Sequence, residues 1–368
     1  MRIDPRLALV GSGRAGAEHD VSQAPPGPVP AGPTRRTAMT QSEIETDEIE
    51  IDEFSPARLA AGPRRFLLSI PVGRTEPARL PMLAVRGRRP GPTAVLVAGV
   101  HGDEFEGMAA LPELAASLDP QDMRGTMLAL PVCNPFARDA QDRCSPDGVD
   151  GVNLARVFPG DPDGSPTRRL AAALLRLTTR LLDPDDLFVD LHSAGTKYRY
   201  LTLAGFRDIA GRARGPSEEA ARHFGPGLLW RIWDQHGMFN AEVARSGVPT
   251  VATEAPGQGE CRDGDVAAYV QGLRNLLTWR GLLNGPPPPR SRAQARCPTE
   301  LTAPAGGLLR TGRAVGDEVA TGDPLGRIVD AFGETLTTLR APHPGQVWAL
   351  RTFGAVAEGD LTAWIAPP

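Results

Sequence analysis

The segment from Ala94 to Leu111, AVLVAGVHGDEFEGMAAL, joins a buried apolar strand to a helical pattern through the polar turn His101, Gly102, Asp103 and Glu104. A strand feeding a helix is the unit of an α/β sheet, and it puts this turn at the strand's carboxyl end, where such sheets gather their sites. His101 and Glu104 stand three residues apart. A single turn therefore brings an imidazole and a carboxylate to one face, where both reach one divalent ion. Zinc is the ion this pair suggests.

The same alternation continues along the chain. FLLSIPV, LPMLAVRG, TAVLVAGVHG, GTMLALPVCN, LFVDLHSA and VPTVATEAPG read as strands, with helices expected over Glu106 to Leu118, Thr167 to Leu182, Ser217 to Phe224 and Asp263 to Leu283. The expected fold is α/β, a mixed sheet with a largely parallel core flanked by helices, spanning residues 51–285. The prolines of NGPPPPR open a stiff linker over residues 286–300. Residues 301–368, rich in Gly, Val, Thr and Leu with turn signals at Gly316-Asp317 and Gly322-Asp323, read as a small all-β domain. Residues 1–50 are expected to be a disordered tail, because their Pro, Gly, Ser and Thr content cannot bury a core. Within them LALVGSGRAG satisfies the GxGxxG dinucleotide pattern, but the prolines from Pro25 to Pro33 forbid the helix that such a site must open.

At 368 residues, 41% of them hydrophobic, the chain can bury one large α/β core and a smaller one. Its net charge is -4, and its arginines are interspersed with acids rather than clustered, so nothing resembles a nucleic-acid surface. Cys133, Cys144, Cys261 and Cys297 lack CxxC spacing and read as reduced structural or incidental thiols. No apolar run has the length of a signal peptide or a membrane span, so the expected compartment is cytoplasmic and no membrane partner is expected.

A second histidine, His192, ends the apolar run FVDLHS as His101 ends its own. Together with Glu104 these make a His2Glu set that leaves one position of a zinc ion open for catalysis. Glu254 ends a third such run, where a carboxylate beside a metal-activated water can take its proton during attack on a carbonyl and return it to the departing amine. The loop NPFARDAQDRCSPDGVDGVNLARVFPG, residues 134–160, carries Arg143 and Arg156. Arginines fixed on such a surface loop can polarise a carbonyl oxygen or grip a substrate carboxylate.

These stretches, VAGVHGDEFEG, NPFARDAQDR with DGVNLARVFPG, DLHS and EAPGQG, resemble in their order the succinylglutamate desuccinylase/aspartoacylase family, relatives of the zinc carboxypeptidases. The resemblance covers about residues 66–283 and loosely the terminal β-domain. It implies a zinc carboxypeptidase-like fold, one zinc per chain on His101, Glu104 and His192, Arg143 polarising the scissile carbonyl and Glu254 promoting the water. It further implies hydrolysis of an amide in an N-acyl amino acid or N-acyl amine, a small molecule, with a homo-oligomer left open. The departure lies at Asn153-Leu154-Ala155-Arg156, where better-known relatives read Asp-Leu-Asn-Arg. Of the pair that holds the substrate's carboxylate only Arg156 is retained, and Tyr198, Arg199 and Tyr200 offer either replacement contacts or an exposed aromatic strand face.

The terminal domain looks like a lipoyl or biotinyl carrier, but carriers need a modifiable lysine and the chain's single lysine is Lys197. The β-domain is instead expected either to border the cleft and restrict what enters or to serve as a stabilising or oligomerising module. No GxSxG elbow argues for a covalent nucleophile. The alternatives are a carboxypeptidase-like metallopeptidase and a relative that binds metal or ligand without catalysis.

Overall fold

In the computed structural model, which describes residues 45–225, 227–286 and 288–368, the sheet is organised around four parallel strands. In chain order the strands are β1 (Thr46–Glu50), β2 (Gly62–Ile70), β3 (Ala78–Arg86), β4 (Arg89–Val97), β5 (Arg124–Leu130), β6 (Leu187–Ser193), β7 (Tyr198–Tyr200), β8 (Leu203–Arg207), β9 (Leu229–Ile232), β10 (Thr250–Ala255) and β11 (Ala295–Arg296). All but β7 join a ten-stranded sheet of order β1-β2-β3-β5-β4-β6-β10-β8-β9-β11. Strands β5, β4, β6 and β10 run parallel, and antiparallel neighbours β3 and β8 bracket them.

The helices are α1 (Phe105–Ser117), α2 (Pro135–Ala140), α3 (Pro166–Leu181), α4 (Arg214–Phe224), α5 (Phe239–Arg245) and α6 (Asp263–Trp279). They cover both faces, as the side-chain alternation along β4 requires. Val95 and Val97 pack with Leu170 and Leu174 of α3 and Val243 of α5. Ala94 and Leu96 pack on the other side with Leu111 of α1 and Leu273 of α6. The expected mixed α/β sheet with a parallel centre is the architecture observed.

Two boundaries differ from expectation. The disordered tail was expected to reach residue 50, but Thr46–Glu50 forms β1, parallel to β2. The strand is tied down at a few points: Glu48 pairs with Arg79 at 2.8 Å, while just beyond the strand Ile51 and Phe54 are buried and Asp52 takes two bonds from Arg176. The rest of that tail, with the GxGxxG match, lies outside the described residues. The proline linker, expected over 286–300, is bound to the sheet and to α4: β11 extends the main sheet beside β9, and the carbonyls of Ser291 and Ala293 accept from Arg222.

The carboxyl-terminal strands are β12 (Thr299–Thr302), β13 (Gly307–Thr311), β14 (Glu318–Val319), β15 (Pro324–Val329), β16 (Thr335–Arg340), β17 (Gly345–Arg351), β18 (Ala355–Val356) and β19 (Leu361–Ala366). They form two small antiparallel sheets, β12-β19-β17-β14 and β16-β15-β13-β18. Strand β7, just past His192, pairs with β17 and so belongs to the first of them. A shared apolar core, Tyr200, Leu203 and Trp230 with Trp348 and Trp364, lies behind that pairing. The described residues group as one compact unit.

Candidate active site

His101 and Glu104 follow β4, His192 ends β6 and Glu254 ends β10, so three adjacent parallel strands deliver four side chains to one edge of the sheet. Glu254 is the register partner of His192. The turn after β4 is tight because Gly102 lies against α2, where a Cβ would meet the Ala137 carbonyl oxygen at 1.9 Å. Gly257, at φ +74°, has a similar role in the loop after β10, lying against Ala194.

The three acids of HGDEFE divide the work of joining these strand ends. Asp103 accepts from the backbone N–H and hydroxyl of Thr196 at 3.1 and 3.2 Å. Glu106 accepts from the backbone N–H of Gly257 at 2.8 Å. Glu104, between them, turns inward: its Oε1 lies 2.8 Å from His101 Nδ1 and its Oε2 2.8 Å from His192 Nδ1. Candidate ligand atoms of His101, Glu104 and His192 lie within 4.8 Å of one another, and the three are almost fully enclosed.

Both imidazoles are backed on the far nitrogen. His101 Nε2 lies 3.2 Å from Asn153 Oδ1, and His192 Nε2 lies 3.2 Å from Asp190 Oδ1. In the tautomer that satisfies both contacts, each Nδ1 presents a lone pair toward a Glu104 oxygen, an arrangement that is repulsive unless a proton or a cation lies between. Two imidazole nitrogens and a buried carboxylate form a donor set that fits zinc. Burial, with Arg143 nearby, brings His101 down to about 4. Burial also opposes the charge on His192, but Asp190 and Glu104 outweigh it and hold that ring well above its ordinary value. Glu104 resists the effect of burial because both histidines face it, and it stays well below the usual carboxylate range.

Glu254 has the opposite fate. Burial and the neighbouring Glu104 push it well above its ordinary value, and its Oε2 is buried without a hydrogen-bond partner. Arg143 donates to Glu104 Oε1 at 3.0 Å.

A cavity of about 460 Å³ opens over the cluster, lined by His101, His192, Glu254, Arg143 and Arg156 among others. Ala155 and Tyr198 line it as well. Arg199 is the exception among the expected contacts: it is not part of the lining, and its guanidinium donates to Gln258 at 2.6 Å. The cause is strand alternation in β7, which points residues 198 and 200 one way and 199 the other. The expected replacement contacts therefore reduce to the two tyrosines.

Other lining residues escaped the sequence reading. Asp190 accepts from Asn240 at 2.7 Å, and Asn240 accepts from Arg207 at 2.7 Å, a buried chain behind His192. The i−2 position of Asp190 on the strand of His192 was the available signal. Glu300, Arg351, Asp360 and Trp364 come from the β-domain strands and their loops. All four cysteines are free, and among the described residues no helix is long and apolar enough to cross a membrane.

Fold and site define an α/β enzyme with a His-Glu-His cluster of the metal-holding kind beside a glutamate of raised proton affinity. Residues 90–280 match the family model described as succinylglutamate desuccinylase/aspartoacylase catalytic domain. The chain belongs to that family and is an amide-hydrolysing deacylase of it. It is 33% identical over 323 residues to the N-alpha-acetyl-L-2,4-diaminobutyric acid deacetylase of Halomonas elongata, covering 83% of this chain and 92% of that one. A solved succinylglutamate desuccinylase/aspartoacylase from Rhodobacter sphaeroides superposes with a TM-score of 0.75 at 30% identity, over 85% of this chain and 98% of the other. The product-bound ectoine utilization protein EutE (DoeB) of Ruegeria pomeroyi gives 0.77 at 28% identity, over 84% and 97%.

Proposed function

We propose that this chain is a zinc-dependent deacylase that hydrolyses the amide of a small N-acylated amino acid. The observation that carries the reading is the enclosed cluster of His101, Glu104 and His192 with Glu254 beside it, under a single cavity of about 460 Å³. The Halomonas elongata relative acts, by its name, on an acetylated diamino acid, and that substrate class is the one we assign here. A cavity of this size, partly walled by β-domain residues, suits a small molecule better than a peptide chain.

His101, Glu104 and His192 would hold the zinc, which when bound supplies a Lewis acid for the amide carbonyl and lowers the pKa of water. Glu254, whose raised proton affinity makes it a competent acceptor, takes the proton of the attacking water and delivers it to the nitrogen of the departing amine. Arg143 offers its guanidinium to the carbonyl oxygen as negative charge develops there. Arg156, exposed at the cavity, donates among the described residues to the Ala155 carbonyl, leaving donors for the substrate's carboxylate.

The test is metal content joined to a substrate screen. Purified protein should carry about one zinc per chain, His192→Ala should lose most of the metal and the activity, and N-acetylated diamino acids should be turned over. Full zinc content in His192→Ala would remove that residue from the site, and a zinc-loaded enzyme inert toward every N-acyl amino acid would end the functional reading.

A further inference from the structure

Several of the charged residues lining the cavity are already engaged by the protein. Arg143 is bound to Glu104, and Arg351 to Asp360 at 3.1 Å and to the Tyr198 hydroxyl at 3.0 Å. Asp190 and Arg207 are joined through Asn240. Glu254 lies next to His192 and is reserved for the proton. Among the described residues, the lining charges that make no ion pair are Arg156, Lys197, Arg207, Glu254 and Glu300, and of the two acids Glu254 is the proton acceptor. Glu300 is therefore the acidic group of the lining that a ligand can claim.

Its surroundings favour a cation. Glu300 sits on β12 directly across from Trp364 of β19, and Trp364 belongs to an aromatic group that also lines the cavity. The Tyr200 and Trp364 rings are stacked with centroids 5.0 Å apart, and Trp230 lies 5.1 Å from Trp364. A carboxylate beside indole and phenol faces is a chemical match for an ammonium, which gains both charge pairing and cation–π attraction there. Burial already raises the Glu300 carboxyl above its ordinary range, against the opposing pull of the Trp364 indole and the Arg156 charge, so a second cation would relieve it.

We propose that Glu300, brought to the cavity by the β-domain, takes the free ammonium of an N-acylated diamino acid against the Trp364, Trp230 and Tyr200 rings, while Arg156 holds its carboxylate. This rests on the deacylase reading above and assigns its selectivity to the β-domain. The β-domain is then a specificity element, since an N-acyl amino acid with an uncharged side chain would leave Glu300 facing no cation.

The experiment compares Nα-acetyl-L-2,4-diaminobutyrate with Nα-acetyl-L-norvaline, its near-isostere without the side-chain amine, on zinc-loaded enzyme. Glu300→Gln should lower the ratio of their kcat/KM values by about tenfold or more, chiefly through KM, and Glu300→Asp should recover part of it. Glu300 lies at the cavity rim, so these variants should fold. A ratio unchanged in Glu300→Gln overturns the assignment. If the wild type hydrolyses neither compound, the assigned substrate class is wrong while the deacylase reading awaits the wider screen, and calorimetry with L-2,4-diaminobutyrate and L-norvaline decides the amine site separately. A preference for the diamine that disappears in Glu300→Gln upholds it; equal binding, or none, overturns it.

Discussion

Glu254 and His192 occupy one rung of the β10–β6 ladder, so the proton acceptor's distance from the metal cluster is set by backbone hydrogen bonds rather than by a loop. Glu254→Gln keeps the shape and removes the basicity. Metal content should persist while turnover falls about a hundredfold to ten-thousandfold, and near-normal turnover would take the role from Glu254. Behind the cluster, Asp190 accepts from Asn240 through one oxygen and holds the other 3.2 Å from His192 Nε2. In Asp190→Asn a single amide oxygen must serve both neighbours, and the charge that steadies the imidazole is gone. Zinc affinity, measured by competition with a chromogenic chelator, should weaken by roughly 10- to 100-fold. Unaltered affinity would make Asp190 a packing residue.

At the scale of elements, the arginine loop owes its shape to a cap that sequence spacing does not reveal. Helix α3 begins after Ser165, whose own side chain makes no capping bond. Asp150, fifteen residues upstream, does that work: its carboxylate accepts from the Thr167 N–H at 2.8 Å and from the hydroxyls of Thr167 and Ser165. Burial opposes its charge, yet these donors outweigh burial and hold the carboxyl below its ordinary value of 3.8. A depressed folded-state pKa means stability that is complete above the unfolded value and lost as pH falls through the folded one. Asp150→Ala should cost about 0.5 to 2 kcal/mol in denaturant unfolding at pH 7, and the gap from wild type should close below about pH 4. A pH-independent gap would assign the effect to packing. The sequence made local elements plain and remote pairings obscure. His101, His192 and Glu254 were legible because each ends an apolar run, Glu104 because it stands three residues past His101, and four of the helices because their apolar spacing is continuous, while the short α2 and α5 were not anticipated. Asn240 and Arg207 were not, since a buried amide and a buried guanidinium carry no motif until the chain folds them behind His192. Arg199 was misplaced by reading Tyr198-Arg199-Tyr200 as one cluster when a strand splits it between two faces.

For the whole molecule, the question is whether the β-domain is an appendage or part of the structure that supports the cavity. Its private cores are small, one around Val347, Leu350 and Ile365 and another around Leu309 and Ile328. The larger aromatic core is shared: fully buried Trp348 and nearly buried Trp364 pack with Tyr200, Leu203 and Trp230, and β7 adds itself to β17 through three residue pairs. Separating the two parts would expose those rings to water and leave the β7 edge unpaired. The β-domain should therefore unfold with the main sheet in one cooperative transition, tryptophan fluorescence and far-ultraviolet circular dichroism giving coincident midpoints. Trp348→Ala, which removes a fully buried indole, should cost about 3 to 5 kcal/mol and lower both midpoints together. A tryptophan transition that precedes loss of the helical signal would mean that the β-domain melts alone, and a cavity wall that can detach at no cost to the sheet would be a lid rather than a fixed boundary for the substrate.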